Sequence, residues 1–312
     1  MSAPSRKICV VGSAMFDQIT RAQRLPLPGE TVIGSSYRTG FGGKGSNQAV
    51  MAAHLGAEVT MVVKLGKDAI GTSTLENYRT KGIVTDHVNF DENLPSGVAP
   101  IWVDETTGQN SIIVVPGANT ALSQADVRRA EFVIRESAVV VCQNEIPVAS
   151  TVEAFRIARR HGGTITIYNP APAMQADAEL LKLTDLLIPN QHEAALISGL
   201  PTATDDEVVA AARRLHAMGA QKVVVTLGER GACVLDEDKP FFVSVGRVEA
   251  VDTTGAGDAF VGSLAFLLAD NIPLLDAVAQ ACRIATLSVL KHGTQSSFPT
   301  SSEVAALVPN LP

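Results

Sequence analysis

Short runs of β-branched and other apolar residues alternate along this chain with longer stretches of helical periodicity. The runs are apolar at nearly every position, which is typical of parallel strands covered on both faces. Predicted strands cover residues 8–11, 59–63, 139–142, 165–168, 186–188, 223–226 and 232–235. Predicted helices cover residues 44–55, 71–81, 151–160, 205–218, 260–268, 275–290 and 302–307. The alternation therefore predicts an α/β fold, a mostly parallel central sheet with helices on both faces.

Two stretches interrupt this alternation. Residues 30–41 alternate weakly and are not followed by a crossover helix, and residues 97–115 hold two apolar runs around a Thr-Thr-Gly turn, the pattern of a β-hairpin. We interpret them as a small antiparallel sheet, formed by about residues 15–42 and 96–116, that acts as a lid over a site. Two extra edge strands are the alternative. Because no linker is visible, residues 1–312 are expected to form a single domain.

Composition excludes several classes of function. The net charge is −7 and no basic stretch is dense enough for a nucleic-acid surface. No window approaches 18 uninterrupted apolar residues, so no membrane span is expected. Residues 1–7 are polar and do not resemble a secretory signal. The four cysteines are far apart without a Cys-x-x-Cys pair, and Cys9, Cys142 and Cys233 lie in apolar runs, which favours reduced, buried thiols there and a cytoplasmic protein.

The strongest candidate for chemistry is the segment 252–258, Asp-Thr-Thr-Gly-Ala-Gly-Asp, which precedes an apolar helix. Gly255 and Gly257 let the backbone approach a ligand closely. Free amides and the helix dipole at such a start form an anion hole of the kind that phosphoryl transfer needs. Asp258 is placed to accept a proton from an attacking hydroxyl. The alternative is a carboxylate that only caps the helix.

A second glycine-rich segment covers residues 40–49, Gly-Phe-Gly-Gly-Lys-Gly-Ser-Asn-Gln-Ala. Gly42 and Gly43 could bring bare backbone against a sugar ring, and Lys44 and Asn47 offer hydrogen-bond donors for hydroxyl groups. The spacing around Lys44 differs from a Walker A loop. A flexible turn before a helix is the alternative.

Further polar residues follow predicted strands, where the sites of α/β proteins collect. The turn at residues 226–231 leaves one strand and enters another, which fits either a nucleotide site or a plain hairpin. Asp17, Glu145, Asn190 and Glu193 also come just after apolar runs. Taken singly, each of them is better explained as a solvated loop residue.

Together these motifs resemble the ribokinase, or PfkB-type, family of carbohydrate kinases over nearly the whole chain. The matching segments lie in the family's order at residues 11–17, 28–31, 40–49, 169–172, 189–190, 226–231, 252–258 and 293–299. The resemblance implies a ribokinase-like fold with a β lid. It also implies transfer of the γ-phosphate of ATP to a small sugar, with O5 of ribose as the first expectation, and a homodimer that pairs through the lid.

The resemblance also assigns roles to individual residues. It implies Asp258 as general base and an anion hole at Gly255, Ala256 and Gly257. The implied sugar-binding residues are Asp17, Gly42, Gly43, Lys44, Asn47, Glu145 and Asp258. The implied ATP-binding residues are Asn190, Thr226, Gly228, Glu229, Gly231, Gly257 and Cys282. Glu193 is implied in magnesium placement. The implied potassium site comprises Asp252, Thr254, Ser288, Lys291, Gly293 and Ser297, largely through backbone carbonyls.

The chain departs from the family pattern in three places. Met15 stands where bacterial relatives often have an Asn facing the sugar, Gln191 and His192 fill the interior of the Asn-x-x-Glu motif, and Cys282 lies where a polar residue is more usual near adenine. A related kinase that acts on adenosine, fructose or 2-deoxyribose is an open alternative, although the match at residues 42–47 favours ribose. Two other classes stay open: a non-catalytic sugar-binding regulator, and a nicotinamide dehydrogenase, which the missing third glycine of its fingerprint disfavours.

Overall fold

A computed structural model describes residues 6–307 of the chain. Its strands are β1 (Lys7–Val11), β2 (Met15–Ala22), β3 (Ser36–Gly42), β4 (Glu58–Gly66), β5 (Val88–Asp91), β6 (Gly97–Asp104), β7 (Asn110–Ile112), β8 (Val139–Gln143), β9 (Ile165–Asn169), β10 (Leu186–Leu187), β11 (Lys222–Thr226), β12 (Ala232–Asp236) and β13 (Lys239–Val243). Its α-helices are α1 (Lys44–His54), α2 (Ala69–Thr80), α3 (Gln124–Arg129), α4 (Glu131–Glu136), α5 (Val148–His161), α6 (Ala178–Lys182), α7 (Gln191–Ser198), α8 (Asp205–Ala217), α9 (Ala256–Ala269), α10 (Leu274–Ser288) and α11 (Ser301–Leu307).

The main sheet has nine strands in the order β13-β12-β11-β10-β9-β8-β1-β4-β5. Neighbouring strands from β11 to β5 pair in parallel, and β12 and β13 add an antiparallel hairpin at one edge. The predicted mostly parallel α/β sheet is therefore confirmed. Since the carboxyl ends of the parallel strands meet at one edge, the polar residues that follow them converge there.

Most strands of the main sheet send alternate side chains into two separate cores, one on each face of the sheet. On β1, Ile8 and Val10 belong to the core that includes residues of α1, α9 and α10, whereas Cys9 and Val11 belong to the core with residues of α5 and α8. Full burial of one such aliphatic side chain stabilises a fold by about 1.5–3 kcal/mol. The near-continuous apolar runs of the sequence are thus explained by burial on both faces.

A second, four-stranded sheet has the order β3-β2-β6-β7. The β2–β3 and β6–β7 pairs are antiparallel, as predicted, and the central β2–β6 pair is parallel. Residues 30–35, where the alternation was weak, are irregular, and the strand begins only at Ser36. The register sets Asp17 of β2 opposite Gly40, and Met15 opposite Gly42, so this sheet leads directly into α1.

The seven helices predicted from periodicity are present to within a few residues at each end, and a capping box of Thr204 and Glu207 begins α8. All four cysteines are free and buried, as expected for Cys9, Cys142 and Cys233. Short elements were missed: the six-residue helices α3 and α4, the helices α6 and α7, and the strands β5 and β13. Helical periodicity needs more residues than these helices contain, and β5 and β13 are edge strands with polar residues that lack the continuous apolar run of a buried strand.

Two expectations concern the limits of the chain. We expected no secretory signal in residues 1–7, and residues 1–5 of this segment lie outside the range that the structure describes. Among residues 6–307, no helix combines the length and apolar character needed to cross a bilayer. A single domain stays a prediction.

Candidate active site

The first element of the site is the start of α9. Gly255 caps this helix in the left-handed conformation, with φ of 81°, and a Cβ there would lie 2.6 Å from Cγ2 of Thr294. No side chain caps the helix, and the first N–H groups of a helix lack intrahelical acceptors. The amide of Ala256 donates to the carbonyl of Thr253, at 3.3 Å. Asp258 follows in the first turn, 7% exposed, so an anion at this end would lie beside its carboxylate.

The glycine-rich loop, residues 40–45, is brought to Asp258 by the packing of α1 against α9. Gly43 has φ of 86°, and a Cβ there would lie 2.6 Å from the amide nitrogen of Met15, so only glycine fits. Asn47 Nδ2 then donates to Asp258 Oδ2 at 2.8 Å. The two glycine-rich segments of the sequence therefore form one site.

A half-buried carboxylate fixes the same loop from the other side. Glu145, which follows β8, accepts hydrogen bonds at Oε2 from Ser13 Oγ at 2.5 Å and from the Lys44 amide at 2.8 Å. The Gly45 amide in turn donates to Ser13 Oγ at 3.3 Å. Glu145 thus ties the strand end to the start of α1.

Asp17 approaches the loop from β2. A Cβ on Gly42 would lie 2.5 Å from Asp17 Oδ2, so the glycine makes room for this carboxylate. Burial, and then the charges of Glu145 and Asp258, raise the pKa of Asp17 from 3.8 to about 7. Three acidic groups therefore surround the loop.

Lys44 supplies the opposite charge. Burial opposes its charge, but the carboxylates of Asp258, Glu145 and Glu193 outweigh this effect and raise the pKa of the ammonium group. The negative charge of a phosphate would be repelled by these carboxylates. The ammonium group of Lys44 offsets this repulsion and can bind the phosphate.

Two cavities meet at the carboxyl edge of the sheet. The smaller, of about 120 Å³, is lined by Lys44, Asn169, Asn190, Glu193, Thr226, Gly255, Gly257 and Asp258, among others. The larger, of about 400 Å³, is mostly apolar and is lined by Thr226, Gly228, Glu229, Gly231, Gly257, Phe260 and Cys282, among others. Both are lined by Thr226 and Gly257, so they form a single groove that runs from the apolar cavity to the carboxylate of Asp258.

The predicted ATP-binding residues all line this groove: Asn190 the smaller cavity, and the others the larger. Burial raises the pKa of the Cys282 thiol to about 12, so this side chain is an uncharged apolar wall. Binding of a nucleotide by these residues stays a prediction.

Asn190 and Glu193 form a reciprocal capping box at the start of α7. The Glu193 amide donates to Asn190 Oδ1, and the Asn190 amide donates to Glu193 Oε2, both at 2.8 Å. Burial raises the pKa of Glu193. Its buried carboxylate lines the smaller cavity, and one of its two oxygens takes no part in the capping box. Magnesium is commonly bound by one carboxylate together with the phosphates of a substrate.

The predicted potassium site brings two distant segments together. Asp252 accepts hydrogen bonds from the Thr254 amide at 2.9 Å and from the Gly293 amide at 3.0 Å. These bonds outweigh burial and lower the pKa of Asp252. Ser288 and Ser297 are buried, and each donates its hydroxyl to a carbonyl three residues earlier. The Lys291 side chain pairs instead with Glu303, so only its backbone could face an ion.

Comparison with known proteins decides the family. A model of the pfkB family carbohydrate kinases matches residues 5–301. This chain belongs to that family. The kinase is 40% identical over 302 residues to a ribokinase of Mus musculus, covering 95% of this chain and 93% of the mouse protein. It is 38% identical over 294 residues to a deoxyribokinase of Salmonella typhi, covering 94% of this chain and 95% of that protein. An Arabidopsis thaliana ribokinase complexed with ribose and ATP superposes with a TM-score of 0.90 at 32% identity, covering 98% of this chain and 99% of that chain.

The structure adds groups to this kinase site that the sequence analysis did not select. Ser13 bridges Glu145 and α1, while Gln48, Gln143 and Asn169 form a buried cluster of carboxamides behind Asp258. Residues 245–248 also line the larger cavity. The available signal was weak: Gln48 is a polar residue next to Asn47 in a helix that is otherwise apolar beyond this point.

Proposed function

We propose that this carbohydrate kinase transfers the γ-phosphate of ATP to O5 of D-ribose, giving D-ribose 5-phosphate and ADP. One observation carries the proposal: the carboxylate of Asp258 lies where the glycine-rich loop, the start of α9 and the end of the groove meet. The similarity to ribokinases, including one complexed with ribose and ATP, supports this choice of substrates.

The sugar would lie between the glycine-rich loop and the small sheet. Asp17 and Glu145 offer acceptors for its hydroxyl groups, and Lys44 and Asn47 offer donors. ATP would lie along the groove, with its base against the apolar wall near Cys282 and its phosphates toward Gly257. This arrangement points the terminal phosphate at Asp258, which lines the groove and also contacts Asn47 of the glycine-rich segment.

The reaction is a displacement at phosphorus. Asp258 accepts the proton of the O5 hydroxyl, and the oxygen forms a bond to the γ-phosphorus as the bond from this phosphorus to the β–γ bridging oxygen breaks. ADP departs with the electron pair of the broken bond. The amides of Gly255, Ala256 and Gly257 and the ammonium group of Lys44 stabilise the charge on the transferred group. Ala256 would exchange its contact with Thr253 for this role.

Two cations complete the proposal. Glu193, with its buried carboxylate at the groove, would hold magnesium indirectly, through water and the ATP phosphates; when bound, the ion neutralises phosphate charge. Asp252, with carbonyls of the segments 252–254 and 288–297, would hold potassium beside the anion hole. Since Asp252 already joins these two segments, an ion there would stiffen the start of α9.

The proposal includes a cytoplasmic homodimer. The outer end of the small sheet exposes apolar side chains, including Ile112 and Ile113, which are 50% and 55% exposed. Contiguous exposed apolar surface is typical of an interface. Light scattering should give twice the monomer mass, and Ile113→Lys should give the monomer mass. A strictly monomeric wild type at high concentration would contradict this part.

The phosphorylation of ribose is tested by ADP release with a sugar panel, with and without potassium. The proposal predicts ribose-dependent release that potassium raises. ADP release with adenosine or fructose alone would assign a different kinase, and no release with any sugar would favour a non-catalytic sugar-binding regulator.

2-Deoxyribose is the second candidate, because Met15 is buried at the loop and carries no hydrogen-bond donor. Its sulfur lies 3.7 Å from Asn119 Nδ2, which also donates to the carbonyl of Ala14. A pocket without a hydrogen-bond donor for the 2-hydroxyl discriminates only weakly between ribose and 2-deoxyribose. The ratio of kcat/KM for ribose to that for 2-deoxyribose decides between the two sugars.

A further inference from the structure

Gln48 lies behind the carboxylate of Asp258 and is almost completely buried, with 1% exposure. Its Nε2 donates to Asp258 Oδ1 at 2.9 Å and to Asn169 Oδ1 at 3.1 Å. Its amide is engaged by these two groups and by Gln143, so the buried side chain offers a ligand no free hydrogen-bonding group.

The orientation of this amide is determined by its neighbours. An ionised carboxylate only accepts hydrogen bonds, and Asn169 presents its oxygen because its Nδ2 donates to the carbonyl of Ile188 at 2.8 Å. Both hydrogens of the Gln48 amide therefore have acceptors. Its Oε1 then faces the opposite way and accepts from Gln143 Nε2 at 2.7 Å.

Gln143 is the last residue of β8 and is also 1% exposed. Its own Oε1 has no hydrogen-bond partner within residues 6–307, and a Cβ on Gly12 would lie 2.4 Å from this atom. A buried acceptor without a partner costs stability, and an apolar residue would avoid that cost. Within residues 6–307, the hydrogen bond that the Gln143 side chain donates goes to Gln48 and holds it in place, which accounts for an amide at this position.

We propose that Gln48 is a positioning residue for Asp258, and that Gln143 acts through Gln48. The amide holds the carboxylate in the plane from which it accepts the sugar proton. The inference rests on the proposed role of Asp258 as general base.

The hydrogen-bond geometry leaves Asp258 able to react. Gln48 occupies one lone-pair direction of Oδ1, and Asn47 occupies one of Oδ2 at 2.8 Å. Each carboxylate oxygen has two such directions, so each keeps one for the incoming proton. Two donors from successive residues of α1 thus fix the rotation of the carboxylate without blocking it.

The test measures kcat, KM and ribose affinity for Gln48→Met, which keeps the length of the side chain and removes the amide. Loss of a hydrogen bond to a charged group predicts a kcat lower by about 10- to 100-fold. The KM values and the calorimetric Kd for ribose should stay within about 3-fold, because the Gln48 side chain is buried and its amide bonds only Asp258, Asn169 and Gln143. Gln48→Glu should lose at least as much activity, since it sets an oxygen against Asp258 Oδ1. A change of KM or Kd alone, or a kcat within about 2-fold of wild type, would overturn the proposal.

A double-variant cycle tests the role of Gln143. Gln143→Met should lower kcat less than Gln48→Met, and the double variant should match Gln48→Met alone, because Gln143 acts only through Gln48. Additive losses would overturn that part of the proposal. Gln280→Met, which removes a carboxamide of α10 outside both cavities, is the control and should keep wild-type kcat. If Gln48→Met does not fold, Gln143→Met decides: a lower kcat at constant KM supports positioning, and an unchanged kcat overturns it.

Asp258→Asn, measured in parallel, separates this inference from the proposed function. Near-normal turnover of Asp258→Asn would show that Asp258 is not the general base, and the proposed function would then fail together with the positioning role. An inactive Asp258→Asn together with a fully active Gln48→Met would leave the base in place and overturn only the positioning role.

Discussion

Asn47 and Asp258 are joined by a hydrogen bond of 2.8 Å, although 211 positions separate them in the chain. The bond joins the glycine-rich loop, at the start of α1, to the first turn of α9. Sugar-binding and phosphate-binding elements are thereby held in one arrangement, with the proposed base between them. The following predictions test the groups around this bond.

Asp17→Asn is expected to stabilise the protein at alkaline pH. The pKa of Asp17 is raised from 3.8 to about 7, so its contribution to stability is fully present below about pH 4 and is lost as the pH rises through 7. At pH 8 the variant should gain about 2–4 kcal/mol in free energy of unfolding, at 1.36 kcal/mol per pKa unit. Urea unfolding at pH 5 and pH 8 measures this gain, which should be larger at pH 8. An equal gain at both values would contradict the assigned pKa.

Glu145→Ala should weaken ribose binding and lower stability together. The variant leaves the hydroxyl of Ser13 and the amide of Lys44 without their acceptor, which costs about 1–3 kcal/mol for each buried group. Glu145→Gln keeps an acceptor and should lose less stability. KM for ribose, with thermal unfolding, tests both variants; equal stability of Ala and Gln variants would argue against the bridging role.

Gly255→Ala should damage the start of α9. An L-residue in the left-handed conformation costs about 1–2 kcal/mol, and the new Cβ would lie 2.6 Å from Thr294. Unfolding experiments should detect this loss, and ADP release should fall with it. Gly257→Ala is the matched control for stability, since a Cβ there meets no atom within 4 Å. Equal stabilities of the two variants would refute the strain at Gly255.

Asp252→Asn should reduce the activation by potassium. The substitution removes a charge and one acceptor from the junction of residues 252–254 with Gly293. ADP release at fixed magnesium, compared in potassium and in a large organic cation, measures the response. Glu303→Gln removes the charge that pairs with the exposed Lys291 side chain but keeps an oxygen that can accept from Thr300, so it should respond like wild type. An undiminished response of Asp252→Asn would place the ion elsewhere.

Local patterns in the sequence predicted the fold, the two glycine-rich segments and Asp258, whereas the roles of the other candidate residues were implied by the family resemblance. Burial on both faces makes a strand such as β8 apolar throughout, and glycines at residues 43 and 255 mark backbone that other residues cannot adopt. What could not be predicted depends on tertiary contacts. Gln48 looks like any polar helix residue until Asp258, 210 positions away, lies beside it. The pKa of Asp17 likewise arises from burial and from acids that only the fold brings near.

The central claim is that Asp258 is the base that activates the sugar hydroxyl. The most direct test is the rate of ribose-dependent ADP release by Asp258→Asn beside wild type, with ribose and ATP affinities measured by calorimetry. The account predicts a fall of about 10²- to 10⁴-fold in kcat, with both ligands still bound. A variant that binds ribose and ATP and turns over at close to the wild-type rate would contradict it.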